Sequence, residues 1–216
     1  MKKGLTELVF ILDRSGSMAG LEKDTIGGYN ALLKKQKEES GEAIITTVLF
    51  DERYELLHDR IDVKGVAPIT DKEYFVRGST ALLDAVGLTI DKIGNAQKNT
   101  AEKQRAEKVM IVITTDGLEN ASRKYSYRKV KEMIEHQKEK YGWEFLFIGA
   151  NIDAVEEAGK FGIEEDCAAN YNADKIGINI LYNEVSEAIS NLRNGRLNER
   201  KSMWKDNINK DYQNRK

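Results

Sequence analysis

Apolar residues along this chain fall into short unbroken runs, separated by stretches whose apolar positions recur at helical spacing. The first run is Leu8-Val9-Phe10-Ile11-Leu12. A run of that length bounded by a turn signal reads as a buried strand, placed here at Glu7 to Leu12. Leu21 to Glu39 follows as a helix, with Ile26, Tyr29 and Leu33 on one face. Gly27-Gly28 counts against it, since each Gly costs about 1 kcal/mol relative to Ala in a helix interior. The alternative is that a Gly there permits close packing on the sheet. Ile44 to Phe50 is the second strand. Asp51-Glu52-Arg53 then turns tightly into Tyr54 to Leu57, an antiparallel hairpin that adds an edge strand. The sole proline, Pro68, lies in the irregular connection beyond it.

The alternation continues to the end of the domain. Ala81 to Gln97 is helical, with Leu82, Ala85, Val86 and Ile90 on a face, and Val109 to Thr115 is another apolar strand. Tyr127 to Lys140 is a helix with Val130, Met133 and Ile134 in register. Trp143 to Ile148 is a strand, and Asp153 to Phe161 is a short helix that Asp153 caps. Cys167 to Tyr171 is a weak last strand, and Asp174 to Leu192 is a helix striped by Leu181, Val185, Ala188 and Leu192. This order predicts an α/β fold: a doubly wound, mainly parallel six-stranded sheet with helices on both faces and one antiparallel edge strand. Beyond Gly195 the composition turns polar and mostly basic, with Trp204 the only large anchor. Residues 1–194 therefore read as the domain and 195–216 as a frayed or separately docked tail that adds little stability.

Composition narrows the function classes. The 216 residues fit one large domain or a domain with a short appendage. Lys plus Arg total 34 against 36 for Asp plus Glu, so no charge excess argues for nucleic acid or an anionic membrane. Cys167 is the only cysteine, which suits a reducing compartment. No stretch reaches the roughly 18 apolar residues needed to span a bilayer. The first apolar run is too short for a signal sequence and meets Asp13 rather than a cleavage site. The expected location is cytoplasmic.

Candidate chemistry clusters at strand ends. Asp13-Arg14-Ser15-Gly16-Ser17 follows the first strand and sets a carboxylate and two hydroxyls on alternate positions. In open α/β sheets, ligands bind in the crevice outside the carboxyl ends of the strands. Hard oxygen donors there suit a hard cation such as Mg²⁺. Thr114-Thr115-Asp116-Gly117 closes a second strand with a carboxylate, and Arg77-Gly78-Ser79-Thr80-Ala81 is a hydroxyl-bearing turn into a helix. Taken singly, each piece also reads as local capping or turn chemistry. Arg14, Arg77 and Arg123 read either as flanks that attract an acidic ligand or as ordinary surface charge. Glu119-Asn120 either shapes the rim or caps the following helix.

The set Asp-x-Ser-x-Ser, then Gly-Ser-Thr, then Thr-Asp-Gly closing a strand, resembles the von Willebrand factor A-type (VWA) domain, a family that includes the inserted domains of integrins. The resemblance covers roughly residues 5 to 194. It implies a strand order of 3-2-1-4-5-6. It also implies a metal-ion-dependent adhesion site on Asp13, Ser15, Ser17, Thr80 and Asp116, holding Mg²⁺ or Mn²⁺. In the family one Asp commonly acts through a water, and the threonine engages the ion only with ligand bound. A partner's Asp or Glu completes the metal shell. The function implied is a non-enzymatic, metal-dependent protein-binding module.

Rival readings fit less well. A haloacid-dehalogenase-type phosphatase or phosphotransferase needs Asp-x-Asp, with the second Asp as general acid. Ser15 stands there and cannot do that work at neutral pH. Neither His58 nor His136 is expected beside Ser15 or Ser17, which a Ser-His-Asp triad requires. No phosphate-binding glycine loop is present. A scaffold that leaves the metal idle is the third reading.

Overall fold

The structure, a computed structural model, describes residues 1–196 and 203–215. The parts of the expected tail at 197–202 and 216 lie outside the described residues. Six strands form one sheet: β1 (Lys2–Asp13), β2 (Glu42–Phe50), β3 (Tyr54–Asp62), β4 (Ala106–Thr115), β5 (Glu144–Gly149) and β6 (Ala168–Asn170). Their spatial order is β3-β2-β1-β4-β5-β6, the order that the resemblance implies. All neighbours are parallel except β2 and β3. In β1, Leu8 to Leu12 are at most 1% exposed. Helices cover both faces of such a strand, so it carries an apolar run rather than an alternation.

The helices are α1 (Glu22–Glu38), α2 (Leu82–Asn99), α3 (Tyr127–Tyr141), α4 (Ala154–Lys160), α5 (Lys175–Arg193) and α6 (Asp206–Asn214). α1 packs along α5, and α2 packs along α3. The glycine pair in α1 divides in role. A Cβ on Gly28 would lie 2.2 Å from the Tyr182 ring of α5, whereas Gly27 faces open space. Gly28 thus permits close packing, against a helix rather than the sheet. Asp153 caps α4 as expected, accepting from the amides of Val155 and Glu156.

β1 and β3 run well beyond the sequence reading, and β1 begins at Lys2 rather than Glu7. β3 runs to Asp62 rather than Leu57. Its later residues are charged, but an edge strand keeps one face in water and tolerates them. Pairing with β2 slips between Ile45 and Val48, and Arg60 takes a left-handed φ of 51°. From there Arg60 reaches the buried carboxylate of Glu7 on β1 with two hydrogen bonds (2.7 and 3.2 Å). Gln97 of α2 also donates to Glu7. Burial outweighs these partners and holds the Glu7 carboxyl above its ordinary range.

At the C-terminal end, residues 203–215 are docked on the body, the second of the two states expected of the tail. Trp204 is 4% exposed and Ile208 1%. The Trp204 indole N–H donates to the carbonyl of Asp166 (2.8 Å). Lys205 donates to the carbonyls of Glu165 and Ala168, the latter on β6. Arg215 pairs with Asp174 and Asp211. α6 thereby lies against α5 and the edge strand β6. Among the described residues no helix is long and apolar enough to cross a membrane.

Candidate metal centre

β1 and β4 are neighbours with Leu12 opposite Thr114, so their C-terminal ends deliver Asp13 and Asp116 to one spot. Thr80 arrives from the turn before α2. All three are at most 3% exposed. Asp13 Oδ1 accepts from the Ser15 amide (2.7 Å), and Oδ2 accepts from the Thr115 hydroxyl (2.6 Å). The hydroxyls then form a chain. Thr80 Oγ1 donates to Ser15 Oγ (3.0 Å), Ser15 and Ser17 share a 3.0 Å bond, and Ser17 Oγ donates to Asp116 Oδ1 (2.5 Å). The fold therefore brings together all five residues singled out in the sequence.

The electrostatics of this cluster are one-sided. Asp13 and Asp116 make no ion pair among the described residues. Burial pushes the Asp13 carboxyl up to about 6 and raises Asp116 as well. Asp116 Oδ2 is buried and has no hydrogen-bond partner among the described residues. Two buried carboxylates without a counter-charge, ringed by hydroxyl oxygens, fit a divalent cation with a preference for oxygen. Gly117 leaves the room. A Cβ there would sit 3.1 Å from both Ser17 Oγ and Thr80 Oγ1. The donor set holds only two acids, and no cluster of three or more His, Cys, Asp or Glu suited to a metal occurs among the described residues.

Arg14 and Arg77 are neither ligand-attracting flanks nor free surface charge, whereas Arg123 is ordinary exposed charge. Arg14 is fully buried. Its Nε donates to Asp51 Oδ2 (3.0 Å), its other nitrogens to Glu55 and the Glu73 carbonyl, and its guanidinium lies 5.3 Å from the Phe75 ring centroid. Arg77 donates to the same Asp51 oxygen (2.7 Å). Arg123 is exposed, its amide donating to Asp84. Glu119 caps the start of α2, accepting from the Leu83 amide (2.8 Å), while Asn120 binds the Thr80 backbone. Neither histidine joins the site. His58 meets Thr47 Oγ1 (2.9 Å), and His136 packs on Tyr141.

The sequence pattern marks the turns and motifs that hold Thr115, Gly117, Asn120 and Asp51 but does not reveal their supporting roles, because their partners lie far along the chain.

No protein-family model matches the chain, and no curated protein matches it. Solved structures do. The manganese-loaded TRAP protein of Plasmodium vivax is similar at 17% identity and a TM-score of 0.61, over 88% of this chain and 73% of that one. Proximal thread matrix protein 1 of the mussel byssus, with a zinc-occupied MIDAS motif, is similar at 13% identity and a TM-score of 0.57, over 86% and 46%. The von Willebrand factor type A structure from Catenulispora acidiphila gives 15% identity and 0.57, over 84% and 41%. The chain spans about half the length of most of the first such structures it matches. At these identities the likeness shows the fold, and that fold is the VWA fold.

Proposed function

We propose that this chain is a metal-dependent protein-binding module. Asp13, Ser15, Ser17, Thr80 and Asp116 hold Mg²⁺ or Mn²⁺, and an Asp or Glu of a partner protein completes the shell. The observation that carries this reading is the buried Oδ2 of Asp116, without a hydrogen-bond partner among the described residues, beside the equally buried Asp13. A bound divalent cation supplies the missing counter-charge and an electrophilic position for an anionic ligand. The chain's own part is to hold the donors. Thr115 fixes one oxygen of Asp13 and the Ser15 amide fixes the other. The two carboxylates balance the ion's formal charge and the three hydroxyls are neutral, so the open position stays electrophilic and can take a carboxylate in place of water. Metal-loaded neighbours of the same fold support the use of a divalent ion. Neither histidine is placed to act as a base on Ser15 or Ser17, so the reading is of binding rather than turnover.

Calorimetry with Mg²⁺ and Mn²⁺ tests the site. Wild type binds, and Asp13→Ala and Ser15→Ala bind far more weakly; equal affinity in all three removes the site. Affinity capture with and without EDTA tests its use. Partners retained through EDTA treatment point instead to a scaffold that leaves the metal idle.

A further inference from the structure

We propose that Asn120 is a positioning residue that holds Thr80 in the ligand set before any partner binds, so that the site keeps one geometry throughout its binding cycle. This rests on the metal-site reading above. Thr80 lies on a separate turn from the other donors, and a free turn would swing. Here it is tied on two sides. On one side, Asn120 Oδ1 accepts from the Thr80 amide (2.9 Å), and the amides of Asn120 and Ala121 donate back to the Thr80 carbonyl (3.0 and 3.2 Å). The tie extends into α2. Glu119 accepts from the Leu83 amide, Ser122 Oγ accepts from the Asp84 amide (2.9 Å), and the Asp84 carboxylate accepts from the amides of Arg123, Lys124 and Tyr125. The loop after Asp116 and the start of α2 are thus one hydrogen-bonded block.

On the other side, the same turn is bound to the loop after Asp13. The Arg77 amide donates to the Arg14 carbonyl (2.9 Å), and the Gly16 amide to the Gly78 carbonyl (3.1 Å). Asp51 joins the two, since its carboxylate takes both Arg14 and Arg77 and its carbonyl accepts from the Ala81 amide. Gly78 takes a left-handed φ of +66°, which strains any residue with a side chain and fixes the path of this turn. Swinging Thr80 away would break bonds on both sides at once. Partners that orient ligands are typically worth 10- to 100-fold in metal affinity.

The test uses the full chain, with Mg²⁺ for amide exchange followed by NMR and Mn²⁺ for affinity followed by electron paramagnetic resonance. In wild type, the Thr80 amide is expected to be protected to the same degree without metal and with Mg²⁺. Asn120→Ala loses that protection and binds Mn²⁺ about 10- to 100-fold more weakly. Asn120→Asp keeps the acceptor and restores the protection, which a general loss of packing at this position would not allow. A Thr80 amide protected only after metal is added overturns the proposal. So does an Asn120→Ala protein that binds Mn²⁺ as tightly as wild type while Asp13→Ala does not. Mn²⁺ binding that survives Asp13→Ala overturns the metal assignment, and the positioning role with it.

Discussion

At the scale of single residues, Thr115 governs the more deeply buried carboxylate. Its hydroxyl donates to Asp13 Oδ2 and accepts from the Gly117 amide (3.2 Å). Thr115→Val keeps the shape and removes both bonds. Mn²⁺ affinity should fall about 10- to 100-fold, read by calorimetry. Glu7 offers a different experiment, outside the candidate site. Its folded carboxyl titrates above its ordinary value of 4.5 because burial dominates. Above that value the folded state holds the proton longer than the unfolded state. Stability from this group is therefore present at low pH and is lost as pH rises through the raised value. Glu7→Gln should flatten that component, seen as a smaller difference between urea midpoints at acid and neutral pH. The five residues of the candidate site were legible because each sits beside a strand end or turn that the pattern itself marks. Their supports were not, since Thr115 reaches Asp13 across 102 positions and Asn120 reaches Thr80 across 40.

At the scale of elements, two packing contacts make quantitative claims. Gly28→Ala would force α1 away from the Tyr182 ring and should destabilise by about 1–3 kcal/mol, or more if the helices cannot part. Combining it with Tyr182→Leu should recover part of the loss, as a double-mutant cycle would report. Trp204→Ala should cost about 3–5 kcal/mol in a denaturant titration, the range for emptying a buried aromatic site. A cost near zero would mean that α6 contributes nothing to the fold. Strands and long helices were readable because their periodicity repeats over many residues. α6 was not, because it is short and rests on Trp204 and Ile208, four positions apart among charges. The end of β3 escaped for a related reason. Asp59, Arg60 and Asp62 look like a loop until Arg60 is seen to pair with Glu7 inside the sheet.

At the scale of the molecule, the VWA fold gathers its loops at the C-terminal end of the sheet, and an ion there would tie β1, β4 and the start of α2 together. Binding only to the folded state adds stability, about 2.7 kcal/mol at a hundredfold excess over the dissociation constant. For a domain of this size that amounts to roughly 5–10 °C in melting midpoint. Saturating Mn²⁺ should produce such a shift in wild type and none in Asp13→Ala. The docking of α6 has an optical consequence as well. The chain has two tryptophans. Both are buried: Trp143 stands just before β5, and Trp204 is held against Asp166 beside the edge strand β6. A Trp143→Phe protein would therefore carry a single indole, whose emission colour tracks one helix. A red shift at low denaturant, before the far-ultraviolet signal changes, would show α6 peeling from β6 while the rest of the sheet is still intact.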